Sequence, residues 1–238
     1  MHAESDDAHA VWEEHYTAKP QVWSGRVNVQ LAEIAGQLNG NRALDLGCGE
    51  GADAIWLAER GWIVVAVDVS TTALDRARAA AESRGITDRI DFQQLDLTAG
   101  FPPGSFDPPG SFDPLGSFDP PGTFDLVSAQ FLHSTVEMDR TALLRRAADV
   151  VAPGGTLLIV DHAAAPPWAS KMHHHEFPTA ETVLSALELD DSQWQRVQVS
   201  SVERSVRGPD GQDATLVDNV IRLRRNPGQG SPRPTKNG

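Results

Sequence analysis

The stretch Ala43-Leu44-Asp45-Leu46-Gly47-Cys48-Gly49-Glu50-Gly51 constrains the fold of this chain more than any other. An apolar run that breaks into glycine at every second position reads as a short buried strand entering a tight turn. Residues 52–60 then read as a helix, stopped by Gly61 where a positive φ is wanted. Gly47, Gly49 and Gly51 leave no Cβ to hold a ligand off the backbone. The helix behind them aims its unpaired N–H groups and positive dipole end at whatever lies there.

Two kinds of ligand compete for such a turn, beside the plain alternative of a tight strand–helix connection. Gly47-x-Gly49-x-x-Ala52 satisfies the relaxed dinucleotide fingerprint. Asp45 argues against it, because a carboxylate at the strand end repels a pyrophosphate and attracts the ammonium of an amino-acid moiety. The net charge of -13 also argues against a nucleic-acid backbone as substrate, since polyanion binding needs a basic face. A small molecule is the expected partner. The lone Cys48 excludes an intrachain disulfide and a cysteine metal cluster. No apolar run reaches the length of a membrane span, and the acidic start is wrong for a signal peptide, so the expected location is the cytoplasm.

Taken in order, residues 1–10 read as disordered. Trp12, Tyr16 and Trp23 precede the first core strand and form either a lid or a patch packed on the outside of the sheet. Val27, Leu31, Ile34 and Leu38 fall at helical spacing and predict a helix ending at Asn39-Gly40. A second buried strand over 62–68 ends in Asp68, about twenty residues past the glycines, where an acid can accept hydrogen bonds from both hydroxyls of a ribose. Ser70 caps the next helix, and a third strand over 90–95 delivers Asp96 to the same sheet edge.

Residues 102–107 then recur, with small changes, as 108–113, 114–119 and 120–125. Asp107, Asp113 and Asp119 each precede a proline, which cannot continue a central strand, whereas Asp125 precedes Leu126-Val127-Ser128. Only the last copy enters the sheet, and the earlier ones loop out. The fourth strand, 124–131, leaves Gln130, Phe131, Leu132 and His133 at its carboxyl edge. Leu143, Leu144, Ala147, Val150 and Val151 mark a helix, Pro153-Gly154-Gly155 a hard stop, and 156–160 a fifth strand ending in Asp161-His162. Beyond it lie the run His173-His174-His175-Glu176, a helix over 181–187, and alternating stretches over 195–206 and 215–223 that form a closing hairpin. The histidine run matches no zinc signature, and no metal is expected.

Several of these features together resemble the class I S-adenosylmethionine (SAM)-dependent methyltransferases, over residues 12–224. They are the acid before G-x-G-x-G, acids at three successive strand ends, a W-x-x-x-Y at Trp12 and a W-S-G-x-x-N at Trp23. The P-G-G turn and the closing hairpin complete the set. The chain leans toward the branch that includes tellurite-resistance and thiol methyltransferases. The resemblance implies an α/β fold: a Rossmann-like, doubly wound, seven-stranded sheet, mostly parallel, with a closing antiparallel β-hairpin. That domain spans 11–225, carries the repeat loop at 102–123 and is followed by a disordered tail from 226 to 238.

It also implies S-adenosyl-L-methionine as cofactor, with a small-molecule methyl acceptor and a monomer or homodimer. Asp45, Gly47, Cys48, Gly49, Gly51, Asp68, Val69, Asp96, Leu97, Gln130, Tyr16 and Trp23 would contact the cofactor. Phe131, His133, His162, His173 and His174 would face the acceptor. His133 stands where a general base would be, or is a helix-start histidine bonded to local backbone. Two other uses of the fold stay open: an aminopropyl transferase, and a binding module without turnover.

Overall fold

The computed structural model describes residues 7–99, 123–134, 136–169 and 177–227. Four largely apolar segments become buried strands, β1 (Arg42–Leu46), β2 (Ile63–Asp68), β4 (Phe124–Gln130) and β5 (Val151–His162), and a more polar, partly buried one, β3 (Ile90–Gln94), forms the sheet edge beside β2. The closing hairpin adds β6 (Trp194–Arg207) and β7 (Asp213–Arg225). The seven strands run in the order β3-β2-β1-β4-β5-β7-β6, with β1 to β5 parallel and β7 antiparallel to both its neighbours.

Strand periodicity divides the core in two. Leu44, Leu46, Val65, Val67, Ile159 and Ile221 face α5 (Arg140–Asp149) and α6 (Ala180–Leu187). Ala43, Val64, Ala66, Leu126, Leu158 and Val220 face α2 (Val29–Ala35) and α3 (Ala52–Glu59). The remaining helices, α1 (Ala8–Thr17) and α4 (Thr71–Ser83), border the site. Because β1 has β2 on one side and β4 on the other, the strand order reverses there. The crevice outside the carboxyl ends of β1 and β4 is where open α/β sheets hold ligands.

Four expectations need correction. The chain is helical from Ala8, where Asp7 caps α1 by accepting from the His9 N–H, so residues 8–10 are ordered. The second helix starts at Val29, because Asn28 is held extended by Asp53, and it ends at Gly36 rather than at Asn39-Gly40. Phe131 leaves the fourth strand with φ of 51°. Pro153-Gly154-Gly155 is no hard stop: β5 already pairs at Val151 with Phe124, and the register then slips so that Thr156 meets Leu126. Val151 therefore belongs to the strand and not to the preceding helix. The first three repeat copies, His173, His174 and the tail from 228 lie outside the described residues. Among the described residues no helix is long and apolar enough to cross a membrane.

Gly51 precedes α3 with φ of 80°, and a Cβ there would meet the Ala77 Cβ of α4 at 2.7 Å. Gly61 has φ of 90° but open space around its missing Cβ. Gly51→Val should lower stability by about 3 kcal/mol or more, combining backbone strain with overpacking. Gly61→Ala should cost only the strain, about 1–2 kcal/mol. Urea unfolding of both variants checks the contrast, and equal losses would mean that α3 and α4 do not pack through Gly51.

Candidate functional site

Asp45, near the end of β1, is 2% exposed and lies at the start of α3. One of its oxygens accepts the Ala54 N–H, so the helix end holds this carboxylate rather than standing open to solvent. Its Oδ2 is buried and has no hydrogen-bond partner among the described residues. Burial pushes the Asp45 carboxyl well above the usual carboxylate range, and the charges of Asp53 and Asp68 push it further. On the neighbouring strand Asp45 pairs with Ser128, which accepts the Gln130 Nε2 at 3.0 Å. Gln130 lies two residues on, hence on the same face, and its Oε1 is likewise buried without a partner. Two unpaired buried acceptors at adjacent strand ends, among several carboxylates, fit a cation with several N–H donors. The ammonium of S-adenosylmethionine is such a group.

The glycine turn is closed by its own bonds. Cys48 N–H donates to Val67 O at 2.9 Å, Gly51 N–H to Cys48 O at 2.9 Å, and Gly49 N–H to Asp68 Oδ2 at 2.9 Å. The other Asp68 oxygen accepts the Ser70 N–H at 3.0 Å. Asp68 thus ties the turn to α4, and each oxygen keeps a lone pair for a further donor. Burial raises its pKa, and that of the Cys48 thiol more strongly, so Cys48 stays a neutral thiol. The three glycines have separate duties. At Gly51 the space of a Cβ is filled by α4, as above. A Cβ on Gly47 would meet Leu132 at 2.6 Å, and one on Gly49 would meet the Tyr16 hydroxyl at 2.8 Å.

Tyr16 and Trp23 therefore lie over the turn. Trp23 Nε1 donates to the Tyr16 hydroxyl at 2.9 Å, and Tyr16 is buried while Trp23 is half exposed. This lid is fastened by charged side chains that the sequence did not single out. Glu50 accepts from the Val22 and Trp23 N–H groups at 3.1 Å and 2.9 Å and pairs with Arg76 at 2.9 Å. Arg76 reaches on to the carbonyls of Tyr16 and Lys19. Glu13 of α1 accepts from Ser70 Oγ at 2.7 Å and from Thr72 at the start of α4. Their only sequence signal was place: Glu50 inside the glycine motif and Glu13 inside the aromatic one.

The other positions expected at the cofactor are more ordinary. Asp96 accepts from the Thr98 N–H and hydroxyl at 2.8 Å and 2.7 Å, capping a short turn. The Val69 carbonyl accepts from Gln94 Nε2 at 3.1 Å. Leu97 sends its side chain into the core beside Phe124 and Leu143, so any contact with a ligand there would be through its backbone.

At the carboxyl edge of β4 the structure brings His133, His162 and Phe131 together. Phe131 and His162 rings stack with centroids 4.4 Å apart, and His133 lies 6.5 Å from His162 with planes within 20°. His133 Nε2 is 3.5 Å from Asp161 Oδ1, which also receives Arg140 at 2.6 Å. Burial lowers the His133 pKa, opposed by Asp161 and reinforced by Arg140 and His162. His133 is thus a neutral imidazole at pH 7 with a carboxylate beside one nitrogen, the arrangement a proton acceptor needs. Trp12 of α1 reaches this edge too, donating to Ser134 Oγ at 3.3 Å. Asp161, Arg140, Arg204 and Asp218 complete the edge and come from positions with no sequence motif.

Comparison with known proteins agrees with this geometry. A family described as "Methyltransferase domain" matches residues 43–155. The chain is 32% identical over 162 residues to methyltransferase GfsG of Streptomyces halstedii, covering 66% of this chain and 51% of that protein, so it spans about half its length. It is 28% identical over 178 residues to a 2-heptyl-1-hydroxyquinolin-4(1H)-one methyltransferase of Mycobacteroides abscessus, covering 72% of this chain and 70% of that one. In fold it matches the N-methyltransferase NodS of Bradyrhizobium japonicum, with a TM-score of 0.59, 19% identity and coverage of 92% and 99% of the two chains. Matching sequence, strand order and buried acid at the glycine turn lead to one conclusion: residues 43–155 carry a methyltransferase domain, and the chain is similar to the class I S-adenosylmethionine-dependent methyltransferases.

Proposed function

We propose that this protein transfers a methyl group from S-adenosylmethionine to a nucleophilic sulfur, oxygen, nitrogen or chalcogen atom of a small molecule. The observation that carries the reading is the pair of buried, unpartnered acceptors Asp45 Oδ2 and Gln130 Oε1 at the crevice between β1 and β4. Bound there, the cofactor supplies an electrophilic methyl whose C–S electron pair stays on a neutral sulfur. Asp45 and Gln130 would hold the ammonium. Asp68 would accept from the ribose, and Asp96 would stand near the adenine. Tyr16 and Trp23 exclude water from above, and alignment of this kind can supply about 7–11 kcal/mol. His133 takes the acceptor's proton on the ring nitrogen that Asp161 does not face, leaving the acceptor's electron pair to form the new bond to carbon. A net charge of -13 supports a small acceptor over a polyanion.

The test is calorimetry with S-adenosylmethionine, followed by labelled methyl transfer to thiols, phenols, amines and chalcogen oxyanions. Binding without transfer to any of them would leave a binding module. Asp68→Ala should weaken cofactor affinity by about 1.5–3 kcal/mol, because a charged acceptor is lost at the ribose. Unchanged affinity would remove Asp68 from the site.

His133→Ala should lower turnover by about 10²-fold or more while cofactor affinity stays constant. The loss should shrink for an acceptor already deprotonated at the assay pH. The lowered His133 pKa sets the sign of the pH dependence: the neutral base persists to more acidic pH than an ordinary histidine allows. Activity should therefore hold as pH falls from 8 toward about 6.5 and decline only below it. His133→Ala should lose that acid limb. An acid limb above 6.5, or one that survives the substitution, would sink His133 as the base.

A further inference from the structure

Arg140 stands where local preference would not put it. It is the first residue of α5, directly after the cap Asp139, and a cation there faces the positive end of the helix dipole. Its side chain turns back over the loop that carries His133. The Nε donates to the Leu132 carbonyl at 2.8 Å, and Nη2 donates to Asp161 Oδ1 at 2.6 Å. Leu132 is itself lodged against the glycine turn, where a Cβ on Gly47 would meet Leu132 Cδ1 at 2.6 Å. One guanidinium therefore joins α5, the end of β5 and the residue just before His133. Two donors held in a rigid fork are what such a span needs.

The oxygen that receives Arg140 is also the one that faces the imidazole. Asp161 Oδ1 lies 2.6 Å from Arg140 and 3.5 Å from His133 Nε2. The shorter contact is a charge-assisted hydrogen bond, and the longer one lies beyond good hydrogen-bond geometry. The carboxylate is thus engaged by a permanent cation before it meets the ring. A free aspartate beside a histidine stabilises the imidazolium and holds the proton there, whereas a compensated one does so weakly. Burial and the Arg140 charge together keep His133 neutral, against the pull of Asp161. The other neighbours bring no free negative charge to the ring. They are His162 of β5, with Asp218 and Arg204 behind it, and the uncharged Trp12 of α1.

We propose that Arg140 is a positioning residue for the base: held in place by the Leu132 carbonyl, it engages Asp161 Oδ1 and so keeps that carboxylate from trapping the transferred proton on His133. The proposal rests on the methyltransferase reading above, with His133 as the proton acceptor. In the step itself the proton passes from the acceptor atom to His133. The freed electron pair forms the bond to the methyl carbon, and the C–S pair stays on sulfur. Arg140 and Asp161 exchange no proton. They set how readily His133 takes one and how readily it gives it up.

The experiment follows the imidazole NMR signals of the full chain, loaded with S-adenosylhomocysteine, as pH is varied. The His133 signal is the one lost in His133→Ala. In the wild type its midpoint should lie below the ordinary histidine value of about 6.5. Arg140→Gln keeps an N–H donor but removes the charge, and the midpoint should rise by about 0.5–1 pH unit. Arg140→Lys keeps the charge, and its midpoint should stay within about 0.2 pH unit of the wild type. No rise in Arg140→Gln would overturn the proposal, as would an equal rise in Arg140→Lys. A wild-type midpoint at or above about 6.5 would overturn it without any variant, so a substitution that fails to fold does not remove the test. Failure of the wild type to bind S-adenosylhomocysteine or S-adenosylmethionine at all is a separate readout, and it would overturn the methyltransferase reading instead.

Discussion

The structure depends on a carboxylate placed where water cannot reach it. Asp45 sits within β1, buried on the face covered by α3, with one oxygen on the first turn of that helix and the other without a hydrogen-bond partner among the described residues. Burying charge is costly unless it is compensated, and here Asp53 and Asp68 add to the cost rather than offsetting it. A fold keeps such an arrangement when the compensation arrives from outside. Under the proposed function, a cationic ligand at the carboxyl ends of β1 and β4 would satisfy the orphaned oxygen and relieve the repulsion at once, linking binding and local stability through one atom.

The same logic orders the surroundings. Asp53 is held by Asn28, whose extended backbone sets where α2 begins. Asp68 draws the glycine turn toward α4. Glu13 and Glu50 bring α1 and the segment after it down over the turn, and Arg76 closes the arrangement from α4. Acids thus serve two purposes in one small region. Facing inward, Asp53 and Asp68 are bonded and Asp45 keeps one oxygen without a partner among the described residues, whereas Glu13 and Glu50 are engaged in fixing the cover over the turn.

The carboxyl edge of β4 is built differently, from rings and from carboxylates on both sheet faces. Asp161 points to the α5 side and receives Arg140, while His162, one residue on, points to the α2 side and meets Asp218. The bend at Phe131 lets both sets converge beyond the end of β4. Two histidines from different strands are brought nearly parallel by neighbours that share no motif.

The sheet, its parallel core and closing hairpin, and the acids at three strand ends were legible in the chain because strand burial and turn chemistry are local properties. An apolar run ending in Asp45, Asp68 or Asp96 carries its own signal. The last repeat copy could be identified as the strand entry because a proline follows the corresponding Asp in each earlier copy and cannot continue a central strand, whereas Leu126 follows Asp125. The glycines looked alike in sequence, yet Gly51 serves helix packing and Gly49 meets the lid, since only distant residues decide what fills a missing Cβ. The start of α2 and the start of β5 were misplaced for the same reason: a hydrogen bond from Asn28 to Asp53 and a slipped register against β4 are not written in either segment alone. Glu50 with Arg76, Asp161 with Arg140 and Asp218 with Arg204 are far apart in the chain and of types common on any surface. The sequence by itself determined which strand ends carry charge. Tertiary packing alone decided which of those charges are satisfied within the protein and which remain for a ligand, because satisfaction depends on partners that only the fold brings near.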